Sequence, residues 1–140
     1  MAVTTEIAPN IYPISIFAAA GNLQFNHFLV KDNELLLFHA GLRGMHAEIR
    51  EAVSKLINLS ELRHISFSHF ESDECGLLRH LCREIPLSLR RTPHLPHGGD
   101  AGVLFEETER TLLCSDLFHQ IDDVEPLTSL PTSWAARVRR

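Results

Sequence analysis

The run HFESDECG, residues 69–76, places one histidine and three acids within six positions, directly after the β-like run RHISFS. In an extended chain, residues i, i+2 and i+4 point the same way. His69, Glu71 and Asp73 have that spacing, so at the end of a buried strand they would converge on one cleft. Carboxylates held so close repel each other, and their ionised forms are costly away from water without a cation. A bound metal ion removes the cost by supplying positive charge and using the lone pairs. The same run also reads as the solvated start of a helix. Ser72 or Asp73 would then be its N-cap, Asp73 and Glu74 would favour the dipole of its first turn, and His69 and Glu71 would be incidental.

Two later stretches add donors. TPHLPHGG carries His94 and His97 on a loop stiffened by two prolines, and TLLCSDLF ends an apolar run with Asp116. Together they make a mixed imidazole and carboxylate set drawn from three separated segments. Such a set suits iron, manganese or zinc, and its carboxylates lean it toward iron or manganese. The three cysteines are Cys75, Cys82 and Cys114; the number is odd and there is no CxxC pair. This fits a reducing, cytoplasmic setting and argues against a rubredoxin-like or zinc-ribbon site. They read as small buried hydrophobes, with Cys75 and Cys82 able to share a helix face. Of the nine histidines, His27, His39, His46, His64 and His80 fall within or beside periodic segments and read as structural or surface residues.

The elements that must position these groups follow from periodicity. EIAPNIYPISI predicts two short strands around a Pro-Asn turn. QFNHFLVKDNELLLFHA predicts a hairpin whose turn is the polar cluster at residues 31–34. MHAEIREAVSKLIN places Ile49, Val53, Leu56 and Ile57 at helical spacing. LRHISFSHF is a short, nearly continuous apolar run, as a strand covered on both faces would be. DECGLLRHLCREI predicts a second short helix, LRRTPHLPHGGD a loop, and AGVLFEE with RTLLCSDLF two further strands. The order is β-rich, then α–β–α, then β-rich, which gives a mixed α/β domain with helices packed on one side of a sheet.

Bulk properties agree. The chain of 140 residues is long enough for one domain but short for two. No apolar run is long enough to span a bilayer as a helix, and MAVTTEIAPN lacks the regions of a signal peptide. A formal net charge of −5 argues against nucleic acid as a partner, and the basic end RVRR reads as solvated. The expected organisation is a single domain over residues 1–125 and an irregular tail over 126–140.

H-x-E-x-D, the TPHLPHG loop and the Asp of LLCSDLF together resemble the metallo-β-lactamase superfamily. Within it they are most similar to the flavodiiron branch and its flavin-free relatives, the oxygen-binding diiron proteins. IAPNIYPIS and FNHFLVKDNELLLFHAG extend the resemblance over most of residues 5–120. Glu71 is the specific feature, since hydrolases of the superfamily carry a second His there. The resemblance implies an α/β (α+β) fold, a metallo-β-lactamase-like αββα sandwich. The interval from Asp73 to His94 and the stretch after Asp116 are shorter than in relatives, so the sandwich is expected to be truncated, lacking several strands and the C-terminal part.

Residue by residue, the resemblance implies that His69, Glu71 and His94 bind one metal ion, that Asp116 bridges to a second, and that Asp73 binds that second ion. Glu74 stands where many relatives have a His ligand. His97 and His119 belong beside the ligands rather than among them. No residue matches the last His ligand of the second ion, so that position is expected to fill weakly or through another chain. The implied cofactor is iron, mononuclear or dinuclear, with zinc as the alternative and no flavin in this chain. The implied ligand is dioxygen or NO. Turnover would need a separate flavoprotein as electron donor, and a homodimer would cover the sheet edges. Two other readings stand beside it: a zinc-dependent hydrolase, against which Glu71 counts, and a non-catalytic relative.

Overall fold

A computed structural model describes residues 1–69, 71–84, 88–89, 104–106 and 109–113. The strands are β1 (Val3–Thr4), β2 (Ile11–Ala18), β3 (Leu23–Val30), β4 (Leu35–Phe38), β5 (Leu62–Ser66), β6 (Ser88–Leu89), β7 (Leu104–Glu106) and β8 (Thr111–Leu113). The helices are α1 (His46–Leu56), α2 (Ser72–Cys75) and α3 (Leu78–Glu84). Strands β1 to β6 form one sheet in sequence order, and β7 and β8 form a separate antiparallel pair.

The antiparallel half of the sheet is built from local turns. The Pro9-Asn10 turn forms as expected, with Asn10 at φ 64, a left-handed conformation that Asn tolerates. Its amide donates to Glu6 Oε1 at 2.8 Å. The run before the turn is not a full strand. It holds a single bridge, Ala8 to Ile11, and β1 lies further toward the N-terminus at Val3–Thr4. Pro13 sits inside β2, beyond the reach of β1, which pairs only with Ile14 and Ser15. There β2 is an edge strand, where a missing N–H is tolerated. The hairpin of β3 and β4 forms around residues 31–34, pairing Phe28 with Phe38 and Val30 with Leu36.

The sheet then changes direction. Helix α1 carries the chain from β4 to β5, which run parallel, with Phe38 level with Ser66. This is a crossover connection, the usual way to join parallel neighbours. Ile49, Ala52 and Val53 form the buried stripe of α1, and Glu51 pairs with Lys55 on its outer face at 2.7 Å. Strand β5 pairs in parallel with β6 in turn.

Two apolar layers cover the two faces of the large sheet. On one face Ile14, Ile16, Leu29, Leu37, Leu62 and Ile65 meet Ile49 and Val53 of α1, and Leu77 and Leu81 near α3. On the other face Ile11, Val30 and Phe38 meet Leu113 of β8, with Leu104 of β7 packed alongside. Fully burying one such aliphatic side chain contributes about 1.5–3 kcal/mol. The helices therefore lie on one side, as the element order implies, and the small sheet covers part of the other. The expected tail over residues 126–140 lies outside the described residues, and no helix among those described is long and apolar enough to cross a membrane.

Candidate metal centre

The chain leaves β5 at Ser66, four residues earlier than the apolar run LRHISFSHF suggests. On its β4 side the strand loses its pairing partner there. Strand β4 ends at Phe38, and one further bond, from the amide of His39 to the carbonyl of Ser66 at 2.8 Å, closes the ladder. His69, Glu71 and Asp73 therefore do not alternate along one strand. His69 lies on the bend after β5, Glu71 is the extended N-cap residue of α2, and Asp73 is already helical. The cap expected at Ser72 or Asp73 falls instead at Glu71, whose side chain makes no capping hydrogen bond.

His69 and Glu71 are nonetheless brought together. The Nε2 atom of His69 is 3.7 Å from Glu71 Oε2. The His69 side chain is 4% exposed and that of Glu71 is 55% exposed. One donor is thus held from inside the protein, and the other stands at the surface. Asp73 is half-buried on the first turn of α2. Among the described residues, no group of three His, Cys, Asp or Glu gathers closely enough to hold an ion. His94, His97, Asp116 and His119 lie outside the described residues, as does the side chain of Glu74.

The pair fits a shared cation. Two donors each about 2.1 Å from one ion stand about 3.0 Å apart at a right angle and about 3.6 Å apart at 120°. The observed 3.7 Å is close to the open end of that range. It is also too long for a direct hydrogen bond. An imidazole nitrogen and a carboxylate oxygen are both first-choice ligands for iron or zinc.

Behind the pair lies a polar group that sequence reasoning missed. Ser68 Oγ is 2.8 Å from His69 Nδ1, and His39 Nε2 is 3.2 Å from the same Ser68 Oγ. His39, Ser68 and His69 are all buried. His39 adopts φ 65, and its ring stacks on Phe38 with centroids 4.1 Å apart. The signal was available. If a helix links two parallel strands, the residues just after each strand meet at the same edge of the sheet. HAG after β4 and FSH after β5 are those residues.

The last residues of HFESDECG have a different task. The expected single helix is divided into α2 and α3 at residues 76–77, where Gly76 keeps helical φ and ψ and its backbone lies against the loop after β4. A Cβ there would stand 2.9 Å from the carbonyl oxygen of Gly41. The next residue, Leu77, donates its amide to that oxygen at 3.0 Å. Cys75 is half-buried, more open than a core cysteine, and both its amide and its thiol reach the Glu71 carbonyl at 3.0 Å. These contacts pin α2 and the Glu71 backbone to the end of the sheet. Ser72, Cys75 and Gly76 also border an open, mainly apolar cleft of about 850 Å³, with Arg43 and Arg79 in its wall.

No protein-family model matches the sequence, and no curated protein is significantly similar to it. Solved structures are similar in fold. A metallo-β-lactamase from Cronobacter sakazakii superposes with a TM-score of 0.55 at 19% identity, over 64% of this chain and 33% of that one. A flavoprotein from Thermotoga maritima gives 0.56 at 22% identity, over 66% of this chain and 27% of that one. A variant of a flavodiiron protein from the same organism gives 0.53 at 24% identity, over 64% and 26%. The region matched is thus about a third or less of each neighbour's length. Over the matched residues the chain has the metallo-β-lactamase fold, shared by the β-lactamase and the flavodiiron protein alike.

Proposed function

We propose that this chain is a metal-binding protein of the metallo-β-lactamase fold whose end-of-strand site takes non-haem iron and binds or reduces dioxygen or NO. The observation that carries the reading is the pairing of a buried imidazole with an exposed carboxylate, His69 Nε2 to Glu71 Oε2 at 3.7 Å, just past the C-terminal end of parallel strand β5. Ligands of open α/β sheets bind at that end of the strands. The likeness in fold to a flavodiiron protein supports the same reading.

His69 and Glu71 would hold the ion, with His94 and Asp116 as their partners. Asp73, shared Asp116 and Glu74 would serve a second ion, and His97 and His119 would stand beside the ligands. Bound ferrous iron would supply electrons and open ligand positions. The chain's own residues orient and exclude. His69 is buried with Ser68 and His39 behind it, and Glu71 is the more exposed of the two donors. Electrons would come from a separate flavoprotein. A homodimer in the cytoplasm is the form we assign.

A zinc-dependent hydrolase is the second reading. It is favoured by the likeness to the Cronobacter enzyme and by the apolar cleft beside α2, with Arg43 and Arg79 available to an anionic substrate. Glu71 separates the two. Exchanging its hard oxygen for imidazole in Glu71→His should shift preference from Fe(II) toward Zn(II), measured by competitive loading with both ions. Iron uptake unchanged by that substitution would contradict the role given to the carboxylate.

A further inference from the structure

A ligating histidine must present one ring nitrogen as a lone pair, and the bond made by its other nitrogen decides which. We infer that Ser68 and His39 are positioning residues that hold the His69 ring by its Nδ1 and turn its Nε2 toward Glu71. The inference rests on the reading of His69 as a ligand and adds the residues that prepare it.

The geometry is a chain of three buried groups: His69 Nδ1 to Ser68 Oγ at 2.8 Å, and Ser68 Oγ to His39 Nε2 at 3.2 Å. The Ser hydroxyl has one proton and can both give and accept. Two directions pass a proton along these three groups. In the first, His69 Nδ1–H donates to Ser68 and Ser68 donates to His39 Nε2, which leaves a lone pair on His69 Nε2. In the second, His39 Nε2–H donates to Ser68 and Ser68 donates to His69 Nδ1, which puts the proton on His69 Nε2. Only the first is compatible with an ion between His69 and Glu71.

His39 is also held in place more firmly than a filler residue needs to be. Its backbone is left-handed at φ 65, a conformation that persists where the surroundings fix it. Its amide is tied to Ser66, and its ring is stacked on Phe38. The chain His39–Ser68–His69 thus links the ends of two neighbouring strands, so the ring angle of His69 is set by the sheet itself.

The test reads the histidine ring nitrogens by ¹⁵N NMR in the full chain, metal-free and loaded with Zn(II), beside a Zn(II) competition titration. In the wild type, His69 should show a single tautomer without metal. With zinc it should carry its proton on Nδ1, and His39 should accept at Nε2. Ser68→Ala should return the His69 signals to an averaged mixture and weaken zinc binding by about 10–100-fold. Ser68→Thr, which keeps the hydroxyl, should restore both. If Ser68→Ala leaves the ring signals and the affinity unchanged, the positioning role is wrong while the metal site stands. If the ring signals change as described but no variant binds metal, the positioning role stands and the metal reading fails.

Discussion

Two of the buried histidines sit about as deep as each other and live in opposite surroundings. His27 is 1% exposed and His69 is 3% exposed. His27 lies in the middle of β3 opposite Ile14, on the face covered by α1. No side chain among the described residues hydrogen-bonds its ring nitrogens, and the backbone of His39 is the polar group beside them. Burial, and secondarily the nearby His39 ring, push its pKa down to about 3, while the backbone of His39 opposes the shift. His69 stands past the end of β5 with Ser68 on one nitrogen and Glu71 facing the other. Burial alone therefore marks nothing. What differs is the company: polar side chains gather around His69 where the parallel strands end, while His27 is a core residue that stays neutral.

The largest effect that would sharpen this contrast is on stability against pH. The folded-state pKa of His27, about 3, lies below its ordinary 6.5, so between those values the unfolded chain binds the extra proton. The contribution is complete above about pH 6.5 and falls by about 1.4 kcal/mol per pH unit on acidification, roughly 5 kcal/mol in all. His27→Leu should flatten urea-measured stability between pH 7 and pH 4 by most of that amount. An unchanged slope would show that acid sensitivity comes from elsewhere, and His27 would lose its contrast with His69.

A smaller effect would come from the residue that joins the two regions. Gly41 has φ 84, and a Cβ on it would meet the His27 ring at 2.8 Å and the Ile49 side chain at 2.5 Å. Its carbonyl also accepts from Leu77, at the turn that docks α2. Gly41→Ala should therefore cost about 2–3 kcal/mol in thermal or urea unfolding. A cost near zero would mean that the His27 pocket and the turn after α2 are coupled only loosely.

Much of the frame could be read from the chain. The β3–β4 hairpin announces itself by two apolar runs around a polar cluster, and α1 by its one-sided stripe. The crossover to β5 follows from both. The end of β5 was harder, because Phe67 keeps the apolar pattern going after the partner strand has stopped. The split between α2 and α3 depends on a backbone contact, Gly76 against Gly41, that no local pattern reveals. In the candidate site, residue type pointed to His69 and Glu71, which do come within 3.7 Å, although the strand alternation argued for them does not form. His39 was overlooked, because its place beside Ser68 emerges only when β4 and β5 are taken as parallel neighbours. The places expected for His94 and Asp116 lie outside the described residues, so their part in the site rests on the chemistry of the donor set.

The most direct measurement is the metal content of the chain after anaerobic purification with iron supplied, beside His69→Gln prepared identically and checked for folding by circular dichroism. The account predicts at least one iron per wild-type chain and its loss in folded His69→Gln. Folded wild-type protein without bound metal, or equal iron in both proteins, would contradict it.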